Sequence, residues 1–257
     1  MAILFLVGLG LHDEKGISLR GLEILRRCSK VHLELYTSPS PPDLSLRLEV
    51  LLGRELTSLS REEVEDGTLL VTQAALADTA LVVPGDPMAA TTHQALRLRA
   101  QKAGVVVKIV HGASILTAAA GLLGLQSTRF GRVVTLPSPQ PGFDPDSPYQ
   151  AIQENLKQGL HTLVLLDSGN PALGAKLALE MLRDHGVVKT SDWLGVVGNA
   201  GSEEPLVVAG PLDSLLQADM GSPPQAIVVC ATLHFLEEES LASLRPAPST
   251  APSRNLP

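Results

Sequence analysis

Residues 3–21 read ILFLVGLGLHDEKGISLRG. Five consecutive apolar residues, Ile3 to Val7, run into Gly8-Leu9-Gly10. An unbroken apolar run of strand length closed by glycines is the pattern of a strand buried on both faces of a parallel sheet. The glycines let the backbone turn sharply or approach a ligand closely; a plain strand-to-helix turn explains them as well. A dinucleotide fingerprint needs a third glycine three residues after Gly10, to pack helix on strand, and an acidic residue about 20 positions further on. Glu34 suits the second requirement, but the first position holds Asp13. The loop does not complete a pyrophosphate-binding turn.

Outward from this stretch, apolar runs alternate with helical stripes. Strands are expected at 31–35, 80–83 and 105–110, and helices at 19–28, 44–52, 68–76 and 92–103. Ser60 and Glu63 have the spacing of a capping box, so a helix opens there. This alternation predicts a largely parallel sheet covered by helices. Beyond Ser114 the character changes. A small-residue helix covers 114–124, strands fall at 133–136, 161–166, 194–197, 206–209 and 226–230, and helices at 151–158, 171–184, 212–218 and 236–244. The strands crowd together here, which predicts some antiparallel pairing. The fold class is α/β in two domains, 1–112 and 113–245. A Pro- and Ser-rich tail, 246–257, has no apolar face and is expected to be disordered or extended.

The 257 residues are 44% hydrophobic but only 3% aromatic, so Leu, Val and Ala must build the core. A net charge of −7 argues against a nucleic-acid partner, which calls for a basic stripe. No run of about 18 apolar residues suggests a membrane span, and the N-terminal run lacks a basic flank and a cleavage site. A cytoplasmic protein is expected. Cys28 and Cys230 have no metal-ligand spacing and read as buried thiols.

Candidate chemistry gathers where strands end. In VVPGDPMAATTH, residues 82–93, Pro84-Gly85 breaks a strand and places Asp86 at its carboxyl end, where open α/β sheets collect ligands. Asp86 is otherwise an ordinary turn residue. In HGASILTAAAG, residues 111–121, Ser114 opens a helix whose N-terminus offers N–H groups and partial positive charge to an anion, or is simply a cap. GLHTLVLLDSGNP (159–171), VVGNAGSEEP (196–205) and CATLHFLEEE (230–239) are further strand ends, and their His161 and His234 read first as structural. Gly-x-Ser-x-Gly, His-Glu-x-x-His and a P-loop are absent, and the histidines lack metal spacing.

Taken in order, these segments resemble the tetrapyrrole-methylase-like (class III) S-adenosylmethionine methyltransferases, and within them the branch that acts in diphthamide biosynthesis. The stretches that carry the resemblance are VGLGLHDEKGISLRGLE (7–23), LELYTS (33–38), PGDPMAATTH (84–93), HGASILTAAAGLLGLQSTRFG (111–131), YQAIQENLKQGLHTLVLLD (149–167) and PPQAIVVCATLHFLE (223–237). The wider family shares only the Gly-x-Gly start and the Gly-Asp-Pro turn.

The resemblance implies a homodimeric enzyme whose two α/β domains bind S-adenosyl-L-methionine in a cleft between them. Its donor-binding positions fall on Leu11, Asp86, Ala89, Ser114, Ile115, Leu166, Ala200 and His234. Ala89 replaces a residue that is often a larger aliphatic, and the segment after Asp167 is less charged than in the family. The implied reaction methylates the amino group of a modified histidine on translation elongation factor 2. Asp13, Tyr36, His93 and Asp167 are candidates for the proton acceptor, with no choice among them. A precorrin-type methyltransferase, and a binding module that keeps the cleft without turnover, are the alternatives. LELYTS and GLHTLVLLD argue against the precorrin reading.

Overall fold

The computed structural model describes residues 2–169 and 171–246; the tail from residue 247 onward lies outside the described residues. The chain divides into two compact units. The first runs to Ala118 and also takes in Asn199–Glu204; the second comprises Ala119–Gly198 and the described residues from Pro205 onward. The boundary expected at 112/113 falls just before the helix within which this division lies.

The first unit runs β1 (Ile3–Gly8), α1 (Leu19–Arg27), β2 (Lys30–Leu33), α2 (Leu44–Leu52), β3 (Thr57–Ser58), α3 (Arg61–Asp66), α4 (Thr68–Leu76), β4 (Thr79–Val83), α5 (His93–Lys102) and β5 (Val106–Val110), and then enters α6 (Ile115–Leu123). Its five strands are all parallel, in the order β3-β2-β4-β1-β5. Side chains alternate across a strand, and β1 shows why its run is uninterrupted. Phe5 and Val7 pack with Ile24 and Leu25 of α1 and Leu44 and Leu48 of α2. Leu4 and Leu6 face the other way, onto Val64, Leu70, Leu96 and Ala100 of α3, α4 and α5. Burying each such side chain contributes about 1.5–3 kcal/mol. α1 and α5 thus cover opposite faces. The connection from β1 leaves toward β2, and that from β4 leaves toward β5. Neighbouring strands whose connections part in this way define the switch point of an open sheet, where ligands bind outside the carboxyl ends.

Ser60 accepts from the Glu63 N–H while the Glu63 carboxylate accepts from the Ser60 N–H, closing the expected capping box. The two-residue β3 was not foreseen. It is exposed on both sides and carries no apolar pattern.

The second unit contains β6 (Val134–Leu136), α7 (Ser147–Lys157), β7 (Thr162–Leu166), α8 (Ala175–Asp184), β8 (Trp193–Gly198), β9 (Leu206–Pro211), α9 (Leu212–Gln217), β10 (Gln225–Val229) and α10 (Phe235–Ser243). Its sheet order is β6-β7-β10-β8-β9; only β6 and β7 are parallel. Ile152, Leu179, Leu182, Leu212 and Leu215 seal one face over Val164, Val196 and Ile227. Two helix starts differ from expectation. α7 opens four residues early, at Ser147, because Pro148 sits in its first turn, where a missing N–H costs nothing. α8 opens at Ala175 rather than at 171, because Gly174 is extended at its N-cap.

His161 is a structural residue here. It is fully buried, its Nδ1 accepts from the Ala231 N–H at 3.0 Å, and its Nε2 lies 3.2 Å from Glu237 Oε1. Arg129 Nη1 donates to the other Glu237 oxygen at 2.5 Å. Cys28 and Cys230 are buried and unpaired, and burial pushes their thiols up to about 11 and about 12. No helix among the described residues is long and apolar enough to cross a membrane, and no His, Cys, Asp and Glu cluster there could hold a metal ion.

Candidate functional site

Three strand ends of the first sheet are drawn together by glycine. Gly10 N donates to Gly85 O at 3.1 Å, and Gly85 N returns to Gly10 O at 2.8 Å, so the loops after β1 and β4 are bonded to each other. A Cβ on Gly8 would stand 2.6 Å from both Gly112 N and Gly85 O, and one on Gly112 would strike Gly85 O. Gly10 has φ +83°, and a Cβ there would meet Gly16 O. The Gly8-x-Gly10 pair therefore brings β1, β4 and β5 into backbone contact at the switch point.

Asp86 fastens this junction. Its Oδ1 accepts from Met88 N–H at 2.9 Å. Its Oδ2 accepts from His111 Nδ1 at 2.7 Å and from Gly112 N–H at 3.3 Å. One carboxylate thus shapes its own loop and ties it to the end of β5. Hydrogen bonds to a charged group are each worth about 1.5–3 kcal/mol. The His111 contact was missed in the sequence because the partners lie 25 residues apart.

Among the described residues only His12, Ala90 and Asn199 combine a side chain with positive φ, at +67°, +52° and +48°. They stand next to Leu11, Ala89 and Ala200, three of the expected contact positions. Left-handed backbone at non-glycine residues is costly and concentrates at ligand sites. The segment carrying Ala200 packs on the first loop: a Cβ on Gly201 would stand 2.6 Å from Leu11 Cβ, and Lys15 Nζ donates to Glu203 at 3.0 Å. Ser114 caps the entry to α6, its Oγ accepting from Leu116 N–H at 3.3 Å and its carbonyl accepting from Ala118 N–H at 3.0 Å. Ile115 is the first residue of α6. Leu11, Asp86, Ala89, Ser114, Ile115 and Ala200 all belong to the first unit.

Leu166 and His234 belong to the second unit. Leu166 ends β7, partly buried against that unit's core. His234 is the N-cap of α10: its Nδ1 accepts from Leu236 N–H at 3.4 Å and its own N–H goes to Glu237.

The four candidate proton acceptors separate. Asp13 Oδ1 accepts from Lys15 N–H as the cap of a 3-10 turn, and Asp13 Oδ2 lies 4.0 Å from Arg47. Asp167 is bound to Ser138 N–H and Gly169 N–H at 3.2 Å each. Both carboxylates hold loops in shape. Tyr36 and His93 instead meet each other, Oη to Nε2 at 3.4 Å. Behind them Glu34 is fully buried, and its Oε2 accepts from Tyr36 N–H at 3.1 Å and Thr37 N–H at 3.0 Å. Burial raises the Glu34 carboxyl above the ordinary range. Glu34 thus ties a turn through Oε2, and its full burial keeps it from reaching a ribose, as a dinucleotide site would require.

The chain carries an open parallel sheet with glycine-bonded loops at its switch point and, in its second unit, a mixed sheet, and a family of methylases matches it over most of its length. The model of the Tetrapyrrole (Corrin/Porphyrin) Methylases matches residues 4–216. Diphthine synthase of Methanothermobacter thermautotrophicus is 38% identical, over 98% of this chain and 99% of its own. A crystal structure of diphthine synthase superposes with TM-score 0.88 at 36% identity, covering 95% of this chain and 96% of the other. A putative diphthine synthase from Entamoeba histolytica gives TM-score 0.85 at 30% identity, covering 96% and 100%. The chain belongs to the tetrapyrrole methylase family, in its diphthine synthase branch. It is a methyltransferase of diphthamide biosynthesis.

Proposed function

We propose that the chain methylates the amino group of the modified histidine on translation elongation factor 2, with S-adenosyl-L-methionine as donor. The observation that carries this reading is the glycine-bonded junction at the switch point, braced by Asp86 and flanked by the left-handed residues beside Leu11, Ala89 and Ala200. Such a junction suits a donor without a pyrophosphate, which needs no third glycine.

The donor supplies a methyl group on a sulfonium, taken by the amine nitrogen in an in-line displacement. The chain's part is positioning, which accounts for much of the rate of such reactions. Leu11, Asp86 and Ser114 are assigned to the polar, methionine side of the donor, where backbone groups and the start of α6 favour a carboxylate. Ile115 and Ala200 supply apolar lining on the adenine and ribose side, in keeping with pockets that are mostly apolar with a few polar fixers. Ala89 completes the set in the first unit. Leu166 and His234 enter the proposal on the sequence resemblance alone. A homodimer working in the cytoplasm, with neither nucleic acid nor membrane as partner, completes the reading.

The test is to incubate the purified chain with methyl-labelled donor and elongation factor 2 carrying the unmethylated precursor, with a corrinoid ring as a parallel arm. Label on the factor is expected. Label only on the ring, or donor binding without transfer, sinks the reading. Asp86→Ala should weaken donor binding about 10- to 100-fold, the equivalent of a charged hydrogen bond. Calorimetric titration that finds unchanged affinity would remove Asp86 from the site.

A further inference from the structure

The contact between Tyr36 and His93 can be assigned a donor and an acceptor from the neighbours of the His93 ring. His93 opens α5 and is 1% exposed. Its Nδ1 lies 2.9 Å from Pro87 O and 3.1 Å from Thr91 Oγ. A carbonyl oxygen can only accept, so Nδ1 carries the hydrogen. In the neutral ring Nε2 then presents its lone pair, and the group facing it is the Tyr36 hydroxyl. Tyr36 is therefore the donor and His93 Nε2 the acceptor. The 3.4 Å separation is long, as catalytic hydrogen bonds often are before substrate arrives.

The setting ties this pair to the proposed site. Pro87, whose carbonyl sets the His93 tautomer, follows Asp86 directly and sits in the loop that carries Ala89. Tyr36 lies three residues past the end of β2, at the same carboxyl edge of the parallel sheet. Glu34 holds the backbone of Tyr36, and the Arg61 guanidinium lies over the Tyr36 ring at 5.0 Å. Burial lowers the basicity of His93, which keeps Nε2 unprotonated near neutrality. Glu34, Glu62, Glu65 and Arg61 are the charged groups that act on Tyr36.

We propose that Tyr36, backed by His93, takes the proton that the substrate amine must lose. Resting on the amine-methylation reading above, the step balances as follows. An N–H of the substrate ammonium gives its proton to Tyr36 Oη while the Tyr36 O–H proton passes to His93 Nε2. The freed nitrogen lone pair then forms the N–C bond, and the S–C bonding pair stays on sulfur. The proton on His93 returns through Tyr36 to water once product leaves. Tyr36 is the residue that touches substrate, and His93 and Glu34 act through it.

The test compares the full chain with Tyr36→Phe, which keeps the ring over Arg61, and His93→Asn, whose amide still donates to Pro87. All three are assayed on elongation factor 2 carrying the unmethylated precursor, and titrated with S-adenosylhomocysteine. Both variants should lose about 100-fold in kcat at pH 7, a general-base effect, with donor affinity and melting temperature retained. Their rate should recover at alkaline pH, where the amine loses its proton unaided. The unaltered chain should hold its rate down to a pH below the ordinary imidazole range. A Tyr36→Phe variant as fast as the unaltered chain overturns the inference. So does a rate loss that leaves the pH profile in place or that follows lost donor affinity, either of which marks a structural role. No transfer by the unaltered chain overturns the amine-methylation reading and this step with it; transfer with undiminished variants overturns this step alone.

Discussion

Glu34 shows how one residue can trade stability for shape. It is fully buried at the end of β2, and Oε1 is buried without a hydrogen-bond partner among the described residues. Burial raises its folded pKa above the ordinary 4.5, against the opposing pull of the Thr37 and Tyr36 hydrogen bonds. The unfolded chain therefore ionises first. The contribution of Glu34 to stability is full below about pH 4.5 and is lost as pH rises through the higher folded value. Replacing it with Gln keeps an acceptor for Tyr36 and Thr37 but removes the ionisation. Melting curves from pH 4 to pH 8 should show Glu34→Gln gaining on the unaltered chain as pH rises; parallel curves would mean the carboxylate is not under strain. Sequence alone singles out Glu34 only as a possible ribose ligand, because nothing local shows that its oxygens close on Tyr36 and Thr37. The same limit hid the bond from His111 to Asp86, whose partners stand at the ends of two different strands.

At the scale of elements, the local signals were strong wherever burial was one-sided or complete. The run Ile3–Val7, the stripes of α1 and α2 and the capping box of α3 were all legible, because each pattern records which faces touch the core. Failures fell on elements without such a record, such as the exposed β3 and the proline-led start of α7. The glycines divide along the same line. Gly121 lies on the exposed side of α6 with open space around its would-be Cβ, whereas Gly112 is pressed against Gly85 O and Gly10 N. Gly121→Ala should stabilise the protein by about 0.5–1 kcal/mol, because alanine loses less backbone entropy in a helix. Gly112→Ala should cost about 1–3 kcal/mol, as overpacking does, and should also lower donor affinity by parting β1 from β5. Thermal melts of the two variants check both signs. A stable Gly112→Ala with full donor affinity would show that the tight junction is not needed.

At the scale of the whole molecule, the order β3-β2-β4-β1-β5 and the return of Asn199–Glu204 to the first unit were not legible. Both depend on contacts between residues far apart in the chain, and periodicity reports only which face of an element is apolar. Six of the eight positions that the resemblance implies fall in the unit that carries the switch point. As the proposed donor site, those six would bear on stability through linkage, since a ligand that binds only the folded chain stabilises it by RT ln(1 + [L]/Kd). At 100 times its Kd, S-adenosylhomocysteine should add about 2.7 kcal/mol. For a chain of this length each kcal/mol raises Tm by about 2–4 °C, so a shift of about 5–11 °C is expected. Asp86→Ala, with affinity lowered about tenfold, should keep roughly half of that stabilisation at the same concentration. Scanning calorimetry with and without S-adenosylhomocysteine reads both effects without any elongation factor present. An unmoved transition in the unaltered chain would mean that the junction of β1, β4 and β5 does not hold the donor, whatever reaction the chain performs.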